Sequence, residues 1–153
     1  MHLSDLLQAL GQSLKVDGLE LNDRGVCRLL LDGKLELNIE HAPVEDAVHL
    51  YSTLGKAPDV ERESFFASLL EAQHFAREIG EGCAFGLDAS TGDVLLHRKL
   101  SVGDLNEETF YQALNEFANW GDHWRAKLSG EHSDEVDSAG SSETFSSAVV
   151  IRG

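Results

Sequence analysis

"GCAFGLDASTGDVLLHRKL", residues 82–100, carries three glycines, Gly82, Gly86 and Gly92, in its first eleven positions and then turns apolar. Such a stretch is either a loop that cradles a phosphate or a turn between two strands. A phosphate loop needs a strand, a glycine turn and then a helix whose N-terminal amides meet the anion. Here Gly92 is followed by "DVLLHRKL", which is β-like and carries no GK[ST]. Before the turn, Cys83, Phe85 and Leu87 alternate with Ala84, Gly86 and Asp88. The stretch therefore reads as a β-hairpin whose short loop is Ala89–Gly92, with glycine supplying a left-handed conformation.

Working outward, Leu3, Leu6, Leu7, Leu10 and Leu14 recur at helical spacing, predicting an amphipathic helix over 3–14. Gly11 within it costs about 1 kcal/mol relative to alanine. Turn signals at 22–25 and at Asp32-Gly33 bracket "VCRLLL" at 26–31. Leu35, Leu37 and Ile39 alternate with Glu36, Asn38 and Glu40, the mark of a sheet with one dry and one wet face. "VHLYSTL" at 48–54 reads as a third strand. A helix is expected over about 60–79, with Phe65, Leu69, Ala72, Ala76 and Ile79 as one stripe and Phe66, Leu70 and Phe75 outside it. Apolar residues on two sides of a helix in so small a domain point to a partner subunit. The last helix starts near Asp104, which has capping-box spacing to Glu107, and runs to about Leu128.

The expected architecture is thus α+β, in the order helix, three strands, helix, two strands, helix, with an antiparallel sheet packed on helices. Residues 1–128 form the domain. Residues 129–153 read as an acidic, serine-rich, disordered tail whose final "AVVI" frays.

The net charge of −15 opposes nucleic-acid and anionic-membrane binding and favours solubility. No apolar run reaches the roughly 20 residues of a membrane span, and the start lacks a signal peptide's basic and apolar regions, so a cytoplasmic location is expected. Cys27 and Cys83 read as two buried thiols on strands. None of the seven histidines lies four residues from another, and no HExxH, paired-cysteine or G-x-S-x-G motif occurs. No catalytic residue, metal site or cofactor is assigned. Asp122-His123 reads as a candidate dyad, set against two exposed helix residues. A small enzyme, built on that pair or on a metal gathered by scattered histidines, is the weakest reading.

Apolar surface stands out instead. In 26–31, Cys27, Leu29 and Leu31 share one face while Val26 and Leu30 flank Arg28 on the other, and Leu95 lies opposite Val94 and Leu96. An antiparallel sheet covered on one side should be polar on the other. Apolar residues there suit either a docking surface or local burial by twist.

Four pieces in order resemble the class I type III secretion chaperones, the Tir-chaperone-like family. They are "LLQALGQSLKVDGLELNDRGVCRLLLDGKLELNIE", "LYSTLGKAP", "GCAFGLDASTGDVLLHRKL" and "LNEETFYQALNEFANWGDHWRAKL", together covering about residues 3–128. The resemblance implies an acidic, cytoplasmic bacterial homodimer without catalytic activity or cofactor. Such a dimer binds the N-terminal segment of a secreted effector in extended form and keeps it soluble, and the secretion ATPase can then release it. It implies a subunit contact through the middle helix and fourth strand, here Phe66, Leu70, Phe75, Phe85 and Leu87. It implies effector contacts on the first helix and two strands, here Leu3, Leu7, Val26, Arg28, Leu30, Leu95 and His97. The alternative within the same fold is a regulatory partner that sequesters another chaperone or an anti-activator.

Overall fold

The computed structural model describes residues 2–130 and 147–152. Its elements are α1 (Leu3–Leu14), β1 (Val26–Leu31), β2 (Leu35–Ala42), β3 (Ala47–Lys56), α2 (Arg62–Gln73), β4 (Cys83–Asp88), β5 (Asp93–Ser101), α3 (Glu107–Ser129) and β6 (Ala148–Val150). The strands form one antiparallel sheet in the order β4-β5-β3-β2-β1-β6. The α+β expectation holds, with a sixth strand added.

The 82–100 stretch is the hairpin that its alternation demands. Cys83 pairs with Arg98 and Asp88 with Asp93, leaving Ala89–Gly92 as the loop. Gly92 adopts φ 75° and its N–H donates to Asp88 O at 2.7 Å. The Asp88 carboxylate accepts from Ser90 Oγ at 2.6 Å and from Ser90 N at 2.9 Å, which pins the turn and, through the side-chain bond first, pulls the acid below its ordinary range.

One face of the sheet carries the core. Leu29, Leu37, Ile39, Leu50 and Leu96 point inward from four strands and are fully buried. Phe110, Leu114, Phe117 and Trp124 of α3 and Leu6, Leu7 and Leu10 of α1 lie against them. Burying each of these large side chains contributes about 1.5–3 kcal/mol, so this layer dominates the stability.

Three local expectations are corrected. α2 stops at Gln73 rather than 79, because Phe75 and Ala76 take φ 53° and 52°, a left-handed backbone that no helix continues through. Ile79 still reaches the core, from the turn after the break. The α3 cap is Asn106, not Asp104: Asn106 Oδ1 accepts from Thr109 N and Thr109 Oγ1 from Asn106 N, each at 2.9 Å. Asp104 ends a 3-10 turn, Val102–Asp104, just before it. The "AVVI" segment does not fray: Ala148–Val150 pairs with β1. Of the tail expected over 129–153, residues 131–146 lie outside the described residues.

Candidate functional site

The site expected at α2 and β4 starts from the sheet's outer edge. β4 has β5 on one side only. On its free side Cys83 N–H donates to Gly80 O at 2.9 Å, and Phe85 N–H donates to Gln73 Oε1 at 2.8 Å. That second bond ties the end of α2 to the strand. Apolar side chains surround the junction in sequence. Leu70 is 68% exposed, Phe75 85% and Leu87 46%. Phe66 and Phe85 are half-buried. Phe66 packs edge-on against Phe65 at 5.3 Å with the Arg62 guanidinium over its ring, and Phe85 meets Trp124 edge-on at 4.9 Å. So Leu70, Phe75 and Leu87 offer free apolar surface, whereas Phe66 and Phe85 use part of theirs within the chain.

The backbone at this patch is strained. Two successive non-glycine residues, Phe75 and Ala76, hold positive φ. Each costs roughly 1–2 kcal/mol. The strained arrangement turns the Phe75 ring outward, where within the chain it touches the His74 ring at 4.2 Å.

The sheet's outer face holds the second group. Cross-strand register sets its rows. Arg28 stands opposite Asn38, Asn38 opposite Tyr51 and Tyr51 opposite His97. In the flanking rows Val26 faces Glu40, Leu30 faces Glu36 and Thr53 faces Leu95. Val26, Arg28, Leu30 and Leu95 are half-buried and His97 is exposed. Arg28 Nε donates to Glu36 Oε1 at 3.1 Å. Since β2 and β3 lie between β1 and β5, the Val26–Leu30 group stands roughly 14 Å from Leu95 and His97, three strand spacings. The face is polar with apolar islands rather than a continuous apolar patch.

Tyr51 occupies the centre of that face and sequence reasoning passed over it, although the alternation in "VHLYSTL" puts His49, Tyr51 and Thr53 on the side opposite Leu50. Burial, then a hydrogen bond with Glu40, raises its phenol above the ordinary value. It borders an open hollow of about 600 Å³ that Arg24, Val26, Arg28, Asn38 and Thr53 also line. The Asp23 and Glu36 carboxylates complete a mostly polar lining, in which two guanidiniums, two amides, a phenol and the Val26 side chain offer both donors and acceptors to a peptide main chain.

Leu3 and Leu7 require a correction. Both are buried against the sheet and α3, so neither side chain is available on the surface as an effector contact. α1 is amphipathic because it has one core-facing side, and these leucines are on it.

The Asp122-His123 pair is divided between other partners. Asp122 Oδ1 accepts from Arg125 Nη2 at 3.1 Å, and His123 lies edge-on between the Trp120 and Trp124 rings at 5.6 and 5.7 Å. Burial, then the nearby Lys127, lowers the His123 pKa. Among the described residues no group of three or more His, Cys, Asp or Glu stands where it could hold a metal ion. Among them, too, no helix is long and apolar enough to cross a membrane.

The family model described as the Tir chaperone protein (CesT) family matches residues 5–125. Among solved structures, the fold is similar to a chain of the ExsC-ExsE complex, with a TM-score of 0.69 and 23% identity over 84% of this chain and 97% of that one. A chain of the HopA1-SchA chaperone-effector complex gives a TM-score of 0.65 at 21% identity, covering 79% of this chain and 91% of that one. A chain of the heterodimeric ExoU-SpcU complex, from the type III secretion system of Pseudomonas aeruginosa, gives 0.61 at 18% identity, covering 88% and 100%. At these identities the likeness is one of fold. No curated protein matches the chain by sequence.

Proposed function

The chain belongs to the Tir chaperone protein (CesT) family, and on that premise we propose that it is a cytoplasmic chaperone of type III secretion. In this reading two copies pair through α2 and β4. The pair holds the N-terminal segment of a secreted effector extended along its surface, and the effector stays soluble until the secretion apparatus takes it. The complexes named for the similar structures, a chaperone with its effector among them, support a polypeptide as the ligand. The protein acts as a binder and not as a catalyst.

The observation that carries this reading is the apolar surface at Leu70, Phe75 and Leu87, beside a strand edge where the Cys83 and Phe85 amides are already taken. Exposed groups of this size gain roughly 25 cal/mol per Å² on burial, and a closed pairing of like copies buries each of them twice. The outer face around Tyr51 and Arg28 supplies polar anchors for an extended chain, and the charge of −15 keeps the loaded complex dispersed.

Light scattering on the purified protein is expected to give twice the chain mass at micromolar concentration. Affinity capture from the native bacterium is expected to recover a secreted protein through an N-terminal fragment of it. A monomer in the first experiment removes the pairing. A capture that depends on the effector's folded C-terminal part removes the extended-segment reading.

A further inference from the structure

β1 has an edge that accepts a strand, and the strand it holds comes from the far end of the chain. β6 lies in the register Leu29↔Val150, Leu30↔Val149 and Leu31↔Ala148. The pairing continues past both ends of the strand: Asp32 N–H donates to Ser147 O and Ile151 N–H to Arg28 O, each at 2.9 Å. Those flanking bonds fix the alternation, so Leu30 and Val149 are a hydrogen-bonded pair.

β6 is held by its main chain and by partial packing of Ala148 and Val150 against the core. Val149 is 59% exposed, Ala148 and Val150 are half-buried, and no residue of the strand is fully buried. The inward side chains of β1, by contrast, are packed under α1 and α3. Beyond the strand, Ile151 and Arg152 line a cleft of about 210 Å³ with Gly18, Glu20 and Cys27. Arg152 Nη2 stands 2.5 Å from where a Cβ on Gly18 would sit, so the guanidinium lies against that glycine's backbone. The bond from Ser147 N to Asp32 Oδ1 spans 115 residues of sequence. β6 is thus a short, half-exposed ligand that happens to be covalently attached.

We propose that the β1 edge is a docking site for an extended segment of a partner polypeptide, and that β6 is its built-in competitor, displaced when the partner binds. The fitting segment carries small apolar residues at alternate positions and then a basic residue, as Ala148 to Arg152 do. The basic residue follows from the charge of the chain and from Glu20 in the cleft. Main-chain pairing supplies affinity without demanding one sequence, and covalent attachment makes β6 an intramolecular competitor that a weak segment does not dislodge. This inference rests on the chaperone reading above.

The probe is a fluorescein-labelled peptide of residues 146–153, SSAVVIRG, added to three forms of the full chain. They are the native sequence, Val149→Pro, which removes the amide that bonds Leu30, and the Leu30→Cys/Val149→Cys pair. Paired Cα atoms at such a position stand about 5.5 Å apart, within reach of a disulfide, so oxidation locks β6 in place. By fluorescence anisotropy the peptide is expected to bind Val149→Pro about tenfold more tightly than the native chain, the change due to one ladder hydrogen bond. The oxidised double variant is expected to bind none, and reduction to restore binding. Equal binding to all three forms overturns the proposal, and so does a locked form that binds normally. If Val149→Pro unfolds, β6 is a structural strand and the proposal falls, with the locked form giving the independent reading. Cargo recovered from the native cell separates this inference from its premise. Cargo held equally by locked and native protein overturns the competitor role and leaves the chaperone reading standing. Peptide exchange at β1 with no secreted polypeptide recovered by any form does the reverse.

Discussion

Replacing Phe75 with glycine changes two quantities in opposite directions, and that makes it a sharp test of the α2–β4 surface. Phe75 holds φ 53°, which costs a side-chain-bearing residue roughly 1–2 kcal/mol and costs glycine almost nothing. Glycine's greater unfolded-state entropy returns about 0.5–1 kcal/mol of that. The isolated subunit is therefore expected to hold its stability or gain up to about 1.5 kcal/mol. Pairing moves the other way. The ring is 85% exposed, so nearly the whole value of burying a phenylalanine, about 2 kcal/mol, is available to an interface. A twofold contact uses it in both copies, which makes about 4 kcal/mol, or a dimer dissociation constant weaker by about 10³. Sedimentation equilibrium over a wide concentration range reads the second quantity. Urea unfolding below the dissociation constant reads the first. An unchanged dissociation constant refutes the argument. So does a subunit that loses 2 kcal/mol or more, because the ring would then be holding the fold and not a partner.

Gly11→Ala is expected to destabilise by about 1 kcal/mol or more despite alanine's better helix propensity, because the new Cβ would stand 2.9 Å from Val16 O; thermal unfolding decides the sign. Ser52→Ala is expected to be neutral or to stabilise by about 1 kcal/mol, since the Ser52 hydroxyl is buried with no hydrogen-bond partner among the described residues; denaturant titration measures it. Burial pushes the thiols of Cys27 and Cys83 from 9.0 up to about 11. The folded state therefore holds these protons more tightly than the unfolded chain does. That contribution is complete below pH 9 and lost as pH rises through 11, by up to roughly 3 kcal/mol per thiol. Urea titrations at pH 8 and pH 10.5, with Cys83→Ala as the control that halves the effect, check it; equal loss in the control sinks it.

How much of this was legible in the sequence follows from where the burial lies. The hairpin at 82–100 could be read because a strand covered on one face must alternate, and Val94 and Leu96 do so where a helix would not. The first helix was legible for the same reason at period 3.6. The break at Phe75 was not, because the apolar spacing runs straight through it: Ile79 reaches the core from a turn as well as it would from a helix. The α3 cap moved by two residues because Asp104 and Asn106 both suit the role, and only the preceding 3-10 turn decides between them. Leu3 and Leu7 were read as partner contacts through the family resemblance, although helical spacing alone already marked them as inward. β6 had a faint signal, the apolar "AVVI", with nothing in the sequence to name its partner strand. Its pairing is defined by the vacant side of β1, which exists only once the sheet is assembled.

The two ends of the sheet face one physical problem and meet it differently. An edge strand presents unpaired amides and invites another chain. At β4 the invitation is withdrawn locally, since Gly80 O and Gln73 Oε1 occupy the amides of Cys83 and Phe85. What remains there is side-chain surface, which suits contact with a folded body of fixed shape, such as a second copy. At β1 the edge is left geometrically whole and is filled by a strand that brings little core of its own. An edge filled that way tolerates exchange for another extended segment, because only the half-buried Ala148 and Val150 side chains rest on the core and small apolar residues of a partner can take their place. The division assigns pairing of subunits to one end of the sheet and capture of unfolded chain to the other. Swapping the devices tests that logic. Gln73→Ala frees the Phe85 amide, and is expected to make the β4 edge bind the extended peptide that the native edge refuses. Hydrogen exchange at Phe85, slowed by added peptide only in that variant, is the expected result, and exchange at Phe85 that ignores the peptide refutes it.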